Sequence, residues 1–202
     1  MLAWVKPGAT YNVMTKAVLF DCFGVLWSDN LMGVFEQATN HDPAKRRALL
    51  ALCAQADKGA IPSDNFWRAL AELMTMSVDE CRRHINATRQ LNSELVAYIA
   101  SLKPTYKIAM ISNAGGDIWD YLDSDTAQLF DELLISADVG ITKPDGRIFL
   151  EACHRLSVLP SEAIFVDDSE KNCQGARAVG LSAIHYSDLT TFRSEIQPYL
   201  ES

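Results

Sequence analysis

Lys16-Ala17-Val18-Leu19-Phe20-Asp21-Cys22-Phe23-Gly24-Val25-Leu26 is an apolar run that ends on a carboxylate and turns at once through a glycine. An unbroken apolar run of strand type predicts a buried parallel strand, and open α/β sheets bind ligands beyond the C-terminal ends of such strands. Asp21 therefore stands where a nucleophile or metal ligand belongs. The same pattern also suits an ordinary strand end whose aspartate caps the next helix, so Asp21 takes its meaning from its company.

Three further segments, each read as a short apolar strand that ends on a polar or charged residue, supply that company. Tyr106–Ile111 runs into Ser112-Asn113, Gly140-Ile141-Thr142 leads to Lys143-Pro144, and Glu162–Val166 ends in Asp167-Asp168. Singly, each has a plain structural reading: a turn dipeptide, a solvated loop charge, a strand end followed by a helix cap. In this order and with these neighbours, the set resembles the haloacid dehalogenase (HAD) superfamily, whose members are mostly phosphatases. The resemblance runs over about residues 16 to 186.

It implies an α/β fold, a Rossmann-like parallel sheet core with an inserted α-helical cap. Residues 16–26 and 104–202 would form the core, 27–103 the cap and 1–15 an N-terminal extension, with Met14 a candidate natural start. Periodicity agrees with this division. Apolar residues recur every three or four positions in Leu31–Ala38, Ala48–Ala56, Phe66–Met74 and Leu95–Leu102, with breaks at Asp42-Pro43 and Ile61-Pro62-Ser63. Beyond them, strands near 107–111, 132–135, 162–166 and 182–186 alternate with helices at Asp117–Leu122, Asp145–Val158, Lys171–Val179 and Asp188–Gln197. That alternation predicts a parallel sheet with helical crossovers. Gly180 ends one helix and Gly140 marks the turn before Lys143. In the resembled family the cap selects substrate; a helical layer that only covers apolar surface is the plainer alternative.

The resemblance also assigns chemistry. A phosphomonoester dianion repels an anionic nucleophile, so its charge must be neutralised before Asp21 can attack phosphorus and form an aspartyl-phosphate. Mg²⁺ would do most of this, held by Asp21, the backbone carbonyl of Phe23, Asp168 and water. Asp167 would ligate directly or orient metal-bound water. Ser112 and the amide of Asn113 would bind the non-bridging phosphate oxygens, and Lys143 would add positive charge. Asn172, one turn beyond Asp168, would hold Lys143 or an acidic partner.

One departure divides the functional readings. Phosphatases of this family carry a second aspartate two residues after the nucleophile, as general acid and base, and here that position is Phe23. Losing such a group costs on the order of 100- to 10,000-fold in rate. The first reading is a Mg²⁺-dependent phosphatase of a small phosphorylated metabolite, restricted to leaving groups that depart unprotonated unless Asp29 or His84 replaces the donor. The second is a 2-haloacid dehalogenase-type hydrolase, since those enzymes have an aromatic residue at this position. Asp167-Asp168 opposes it, because two extra carboxylates repel an anionic haloacid, and Arg46, Arg47 and Arg68 lack the context of a halide-binding arginine. The third is a non-catalytic phosphate-binding or regulatory protein, opposed by the joint presence of Asp21, Ser112, Lys143 and Asp168. Trp27, Asp29, Phe66, Trp67 and Arg68 are candidates for specificity.

Composition sets outer limits. With 202 residues, 49% hydrophobic and 22% charged, the chain is not globally disordered, and a formal net charge of −8 argues against broad electrostatic binding to nucleic acid. Cys22, Cys53, Cys81, Cys153 and Cys173 show no zinc or redox spacing, which predicts reduced thiols, with Cys22 a small packed side chain. His41, His84, His154 and His185 show no metal-site spacing either. The apolar Met1–Val5 is interrupted by Lys6-Pro7-Gly8 too early for a membrane span or secretory leader, so a cytoplasmic protein without a membrane partner is expected. Oligomeric state leaves no mark on the sequence.

Overall fold

In the computed structural model, which describes residues 14–115, 118–119 and 122–200, all four residues of the first strand, β1 (Ala17–Phe20), are buried. Burial on both sides explains the unbroken apolar run. Val18 and Phe20 join the core on one face of the sheet, and Ala17 and Leu19 join that on the other. β1 is flanked by β2 (Lys107–Ser112) and β4 (Ala163–Asp167), with β3 (Glu132–Ile135) and β5 (Ser182–His185) outside them. The result is a five-stranded parallel sheet in the order β3-β2-β1-β4-β5. Phe20 lies beside both Met110 and Val166, so the residues that follow all three strands emerge together.

Helices cover both faces. α5 (Ser93–Leu102) and α10 (Leu189–Leu200) bury Leu95, Ile99, Leu102, Phe192 and Ile196 against one side. α8 (Gly146–Leu156) and α9 (Glu170–Ala178) cover the other. The apolar stripe of α8 runs through Ile148, Phe149, Ala152, Cys153 and Leu156. Asp145 caps it by accepting from the Arg147 amide at 3.0 Å, and Ser157 ends it in a left-handed conformation.

Between β1 and β2 lie α1 (Leu31–Ala38), α2 (Pro43–Ala56), α3 (Ser63–Met74) and α4 (Val78–Asn86). Their apolar residues, including Phe35, Leu49, Trp67, Leu70 and Ile85, form a cluster separate from the sheet cores. α4 is absent from the periodicity reading because it buries only Cys81 and Ile85. Its signal is a capping box, in which the Glu80 amide donates to Ser77 Oγ at 3.3 Å and the Ser77 amide to Glu80 Oε2 at 3.0 Å. α5, which the sequence groups with the insertion, packs on the sheet. The helical stretch 27–103 thus divides by packing, and the sheet layer resumes at Ser93.

Two four-residue helices, α6 (Ser124–Ala127) and α7 (Ser136–Val139), are too short to show a period. Residues 1–13 of the expected extension and half of the expected helix Asp117–Leu122 lie outside the described residues. Among the described residues, no helix is long and apolar enough to cross a membrane.

Phe149 is wholly buried and meets Phe165 edge to face, with ring centroids 4.9 Å apart. Phe149→Ala should lower unfolding free energy by about 3–5 kcal/mol, read as a fall in the urea midpoint at unchanged slope.

Candidate active site

Asp21 follows β1 directly, while Ser112 ends β2 and Asp167 ends β4. The chain leaves β1 for β2 and β3 on one side and later returns for β4 and β5 on the other, so these three residues lie where strand order reverses, with Asp21 facing the cavity and Ser112 and Asp167 buried beside it. Lys143 does not end a strand, although the apolar Gly140-Ile141-Thr142 suggests one; it arrives from the loop after α7, which begins at Gly140 with φ of 67° and pairs with no strand among the described residues. Asn113 clamps this loop: its Oδ1 accepts from the Lys143 amide at 2.8 Å and its Nδ2 donates to the Lys143 carbonyl at 3.0 Å. The Asn113 side chain is therefore committed to the loop.

Lys143 Nζ sits 2.6 Å from Asp21 Oδ1 and 2.8 Å from Asp167 Oδ2, and all three groups are buried. Both oxygens of Asp167 are further engaged. Asn172 Nδ2 lies 3.1 Å from each, and the Ser169 amide donates to Oδ1 at 2.8 Å. Asn172 thus holds an acidic partner, not Lys143. Asp168 occupies the space above Gly24: a Cβ there would lie 2.2 Å from Asp168 Oδ2, and φ of 93° also excludes an ordinary side chain. The sequence reading gave Gly24 no such role, since only the tertiary approach shows it. Carboxylate oxygens of Asp21, Asp167 and Asp168 all lie within 4.8 Å of one another. Ser112 Oγ is buried beside the Cys22 thiol, a weak partner, and makes no hydrogen bond of regular geometry.

Charge follows from this packing. Burial pushes the Asp21 carboxyl up to about 7; Lys143 opposes this and the Asp167 charge adds to it. Burial alone would lower the Lys143 ammonium, but Asp21 and Asp167 hold it above its usual range. Asp168 is raised as well, by burial and then by Asp167. The Cys22 thiol is driven far up by burial and by Asp21, so it stays protonated and inert.

A cavity of about 290 Å³ opens over this array. Asp21, Lys143, Asn113 and Asn172 line the sheet side, while Cys53, Phe66 and Trp67 line it from the insertion. Phe23 and Asp29 also contribute. Trp27 and Arg68 do not line it, and the exposed His84 is turned to the Glu80 carbonyl at 3.0 Å. Arg89 does line it, with its guanidinium 4.5 Å above the Phe23 ring. An arginine in the short link between two helices carries no sequence signal, so it is absent from the candidates above.

The sequence profile of the haloacid dehalogenase-like hydrolases matches residues 15–180, and the chain belongs to this family. A glyceraldehyde 3-phosphate phosphatase of Methanopyrus kandleri is 26% identical, over 85% of this chain and 83% of that protein. A D-ribitol-5-phosphate phosphatase of Bacteroides thetaiotaomicron is 23% identical, over 94% of this chain and all of its own length. A HAD family enzyme of Bacteroides thetaiotaomicron, solved in complex with magnesium and inorganic phosphate, shares the fold with a TM-score of 0.74. That structure is 21% identical and covers 88% of this chain and 98% of its own. The protein is thus a HAD-like hydrolase with phosphatases among its relatives.

Because the folded state raises the Asp21 carboxyl from 3.8 to about 7, it holds a proton that the unfolded chain releases. In metal-free buffer, stability should fall as pH rises from about 4 to about 7 and level off above that. Asp21→Asn should flatten this slope, measured as urea midpoints across the range.

Proposed function

We propose that this hydrolase is a Mg²⁺-dependent phosphatase of a small phosphorylated metabolite, working through an aspartyl-phosphate at Asp21. The buried array in which Lys143 lies between Asp21 and Asp167, beside the weakly partnered Ser112 hydroxyl, carries the reading. One ammonium does not balance three neighbouring carboxylates, and a buried hydroxyl with only a weak partner is costly unless a ligand completes it.

The donor set fits Mg²⁺, a hard cation that takes oxygen ligands. Asp21, Asp168 and the Phe23 carbonyl would hold it; Asp167, with both oxygens already bonded, would act by fixing Lys143 and Asn172. When bound, the ion supplies charge neutralisation to the phosphoryl group. Asp21 attacks phosphorus while the bond from phosphorus to the substrate's bridging oxygen breaks and that oxygen departs with the electron pair; Ser112 Oγ and the Asn113 amide donate to the non-bridging phosphoryl oxygens, and Lys143 stabilises the charge that develops on them. Water then cleaves the aspartyl-phosphate. The named activities of the two phosphatase relatives, on a phosphorylated aldehyde and a phosphorylated polyol, support a small substrate here. The acidic pair Asp167-Asp168 disfavours the dehalogenase reading.

Asp21→Asn should lower turnover by at least about a thousandfold, because an amide is a poor nucleophile; wild-type-like rates would exclude covalent catalysis at this residue. Titration calorimetry should detect Mg²⁺ binding that Asp168→Ala weakens, and metal at about 100 times Kd should stabilise the fold by about 2.7 kcal/mol.

Phe23 cannot transfer a proton, so rates should depend steeply on leaving-group acidity. An aryl or acyl phosphate should react about 100-fold or more faster than a primary alkyl phosphate, and Phe23→Asp should narrow the gap. Equal rates in the wild type would instead identify a replacement donor. Asp29, which lines the cavity, is the first residue to test for that role.

A further inference from the structure

The insertion is joined to the sheet by two chain crossings that are laced to each other. The Ser28 amide donates to the Gln90 carbonyl at 2.9 Å, and the Gln90 amide donates to Ser28 Oγ at 2.8 Å. A third attachment is not covalent. The loop between α2 and α3 meets the start of α7, where the wholly buried Ser136 stands between two segments. Its Oγ accepts from the Ala114 amide at 3.0 Å and lies 2.5 Å from the Asp57 carbonyl. A second acceptor, the Ala114 carbonyl, lies 3.4 Å away. Next to this contact Gly59, with φ of 68°, comes so close that a Cβ would lie 2.4 Å from the Ala137 carbonyl oxygen.

We propose that Ser136 is a positioning residue that latches the α2–α3 loop of the insertion to the Ser112–Ala114 loop of the sheet. A serine hydroxyl has one proton to donate. In the closed arrangement it goes to Asp57, whose neighbours Ala56 and Ile61 line the cavity along with Asp57 itself. When the loop lifts, the proton turns to the Ala114 carbonyl, so release leaves no buried donor without a partner. Gly59 permits the close approach that brings Asp57 into reach. One hydroxyl thus sets the cavity wall and supports the segment that follows Ser112. The turnover arm of the test rests on the phosphatase reading, whereas the exchange arm does not.

Hydrogen exchange read by mass spectrometry, on wild type, Ser136→Ala and Gly59→Ala, tests the latch. In the wild type the amides of Asp57, Gly59 and Ala60 are bonded within their own segment, so they report on this loop. Gly59→Ala should speed exchange at 57–61 about tenfold and leave 112–115 unchanged; Ser136→Ala should speed both, since it removes a partner from each segment. With p-nitrophenyl phosphate at saturating Mg²⁺, Gly59→Ala should raise KM about fivefold to tenfold and keep kcat within about twofold. Inhibition by inorganic phosphate should weaken in Ser136→Ala alone. Exchange changes confined to 112–115 in Ser136→Ala, or unchanged exchange at 57–61 in Gly59→Ala, would overturn the latch. A wild type that turns over no phosphate ester, yet shows the expected exchange pattern, would refute the phosphatase reading and leave the latch standing.

Discussion

A buried ammonium between two buried carboxylates constrains the rest of this molecule. Taking Lys143, Asp21 and Asp167 out of water costs several kcal/mol per ion before their mutual attraction is counted. The arrangement holds only if the remaining donors and acceptors are met. Asn172 and the Ser169 amide do this for Asp167, and Asn113 fixes the backbone that carries Lys143. These groups come from three strand ends, the Lys143 loop and the start of α9, so the array exists only when the sheet order is correct. With Asp21 ionised, the two carboxylates carry more charge than the one ammonium between them.

Strand ends were legible because burial on both sheet faces leaves a contiguous apolar run with the polar residue placed at its close. Asp21, Ser112 and Asp167 could be read in that way, and the structure brings them together with Lys143. Helices were legible where an apolar stripe recurs. α4 escaped because it buries two residues, and its capping box works through hydrogen bonds that hydrophobicity does not register. The packing of α5 on the sheet also lay out of reach, since a stripe shows that a face is buried and not what covers it.

Gly24, Arg89 and Ser136 form a different group. Each matters because of a residue distant in sequence that lies against it: Asp168 for Gly24, Phe23 for Arg89, Ala114 and Asp57 for Ser136. No local pattern encodes such an approach. Asn172 was only half legible, because its helical phase placed it near the site while leaving open whether it faced the lysine or an acid. The weakly partnered Ser112 hydroxyl likewise becomes visible only when its surroundings are complete.

The insertion's apolar cluster is separate from the two that pack the sheet. A change inside it, at Leu70 or Phe35, reshapes the upper wall of the cavity without disturbing the residues beneath Asp21 and Lys143. The upper wall of the cavity and the residues beneath Asp21 and Lys143 therefore belong to separate apolar clusters, which meet where Ser136 bonds Asp57.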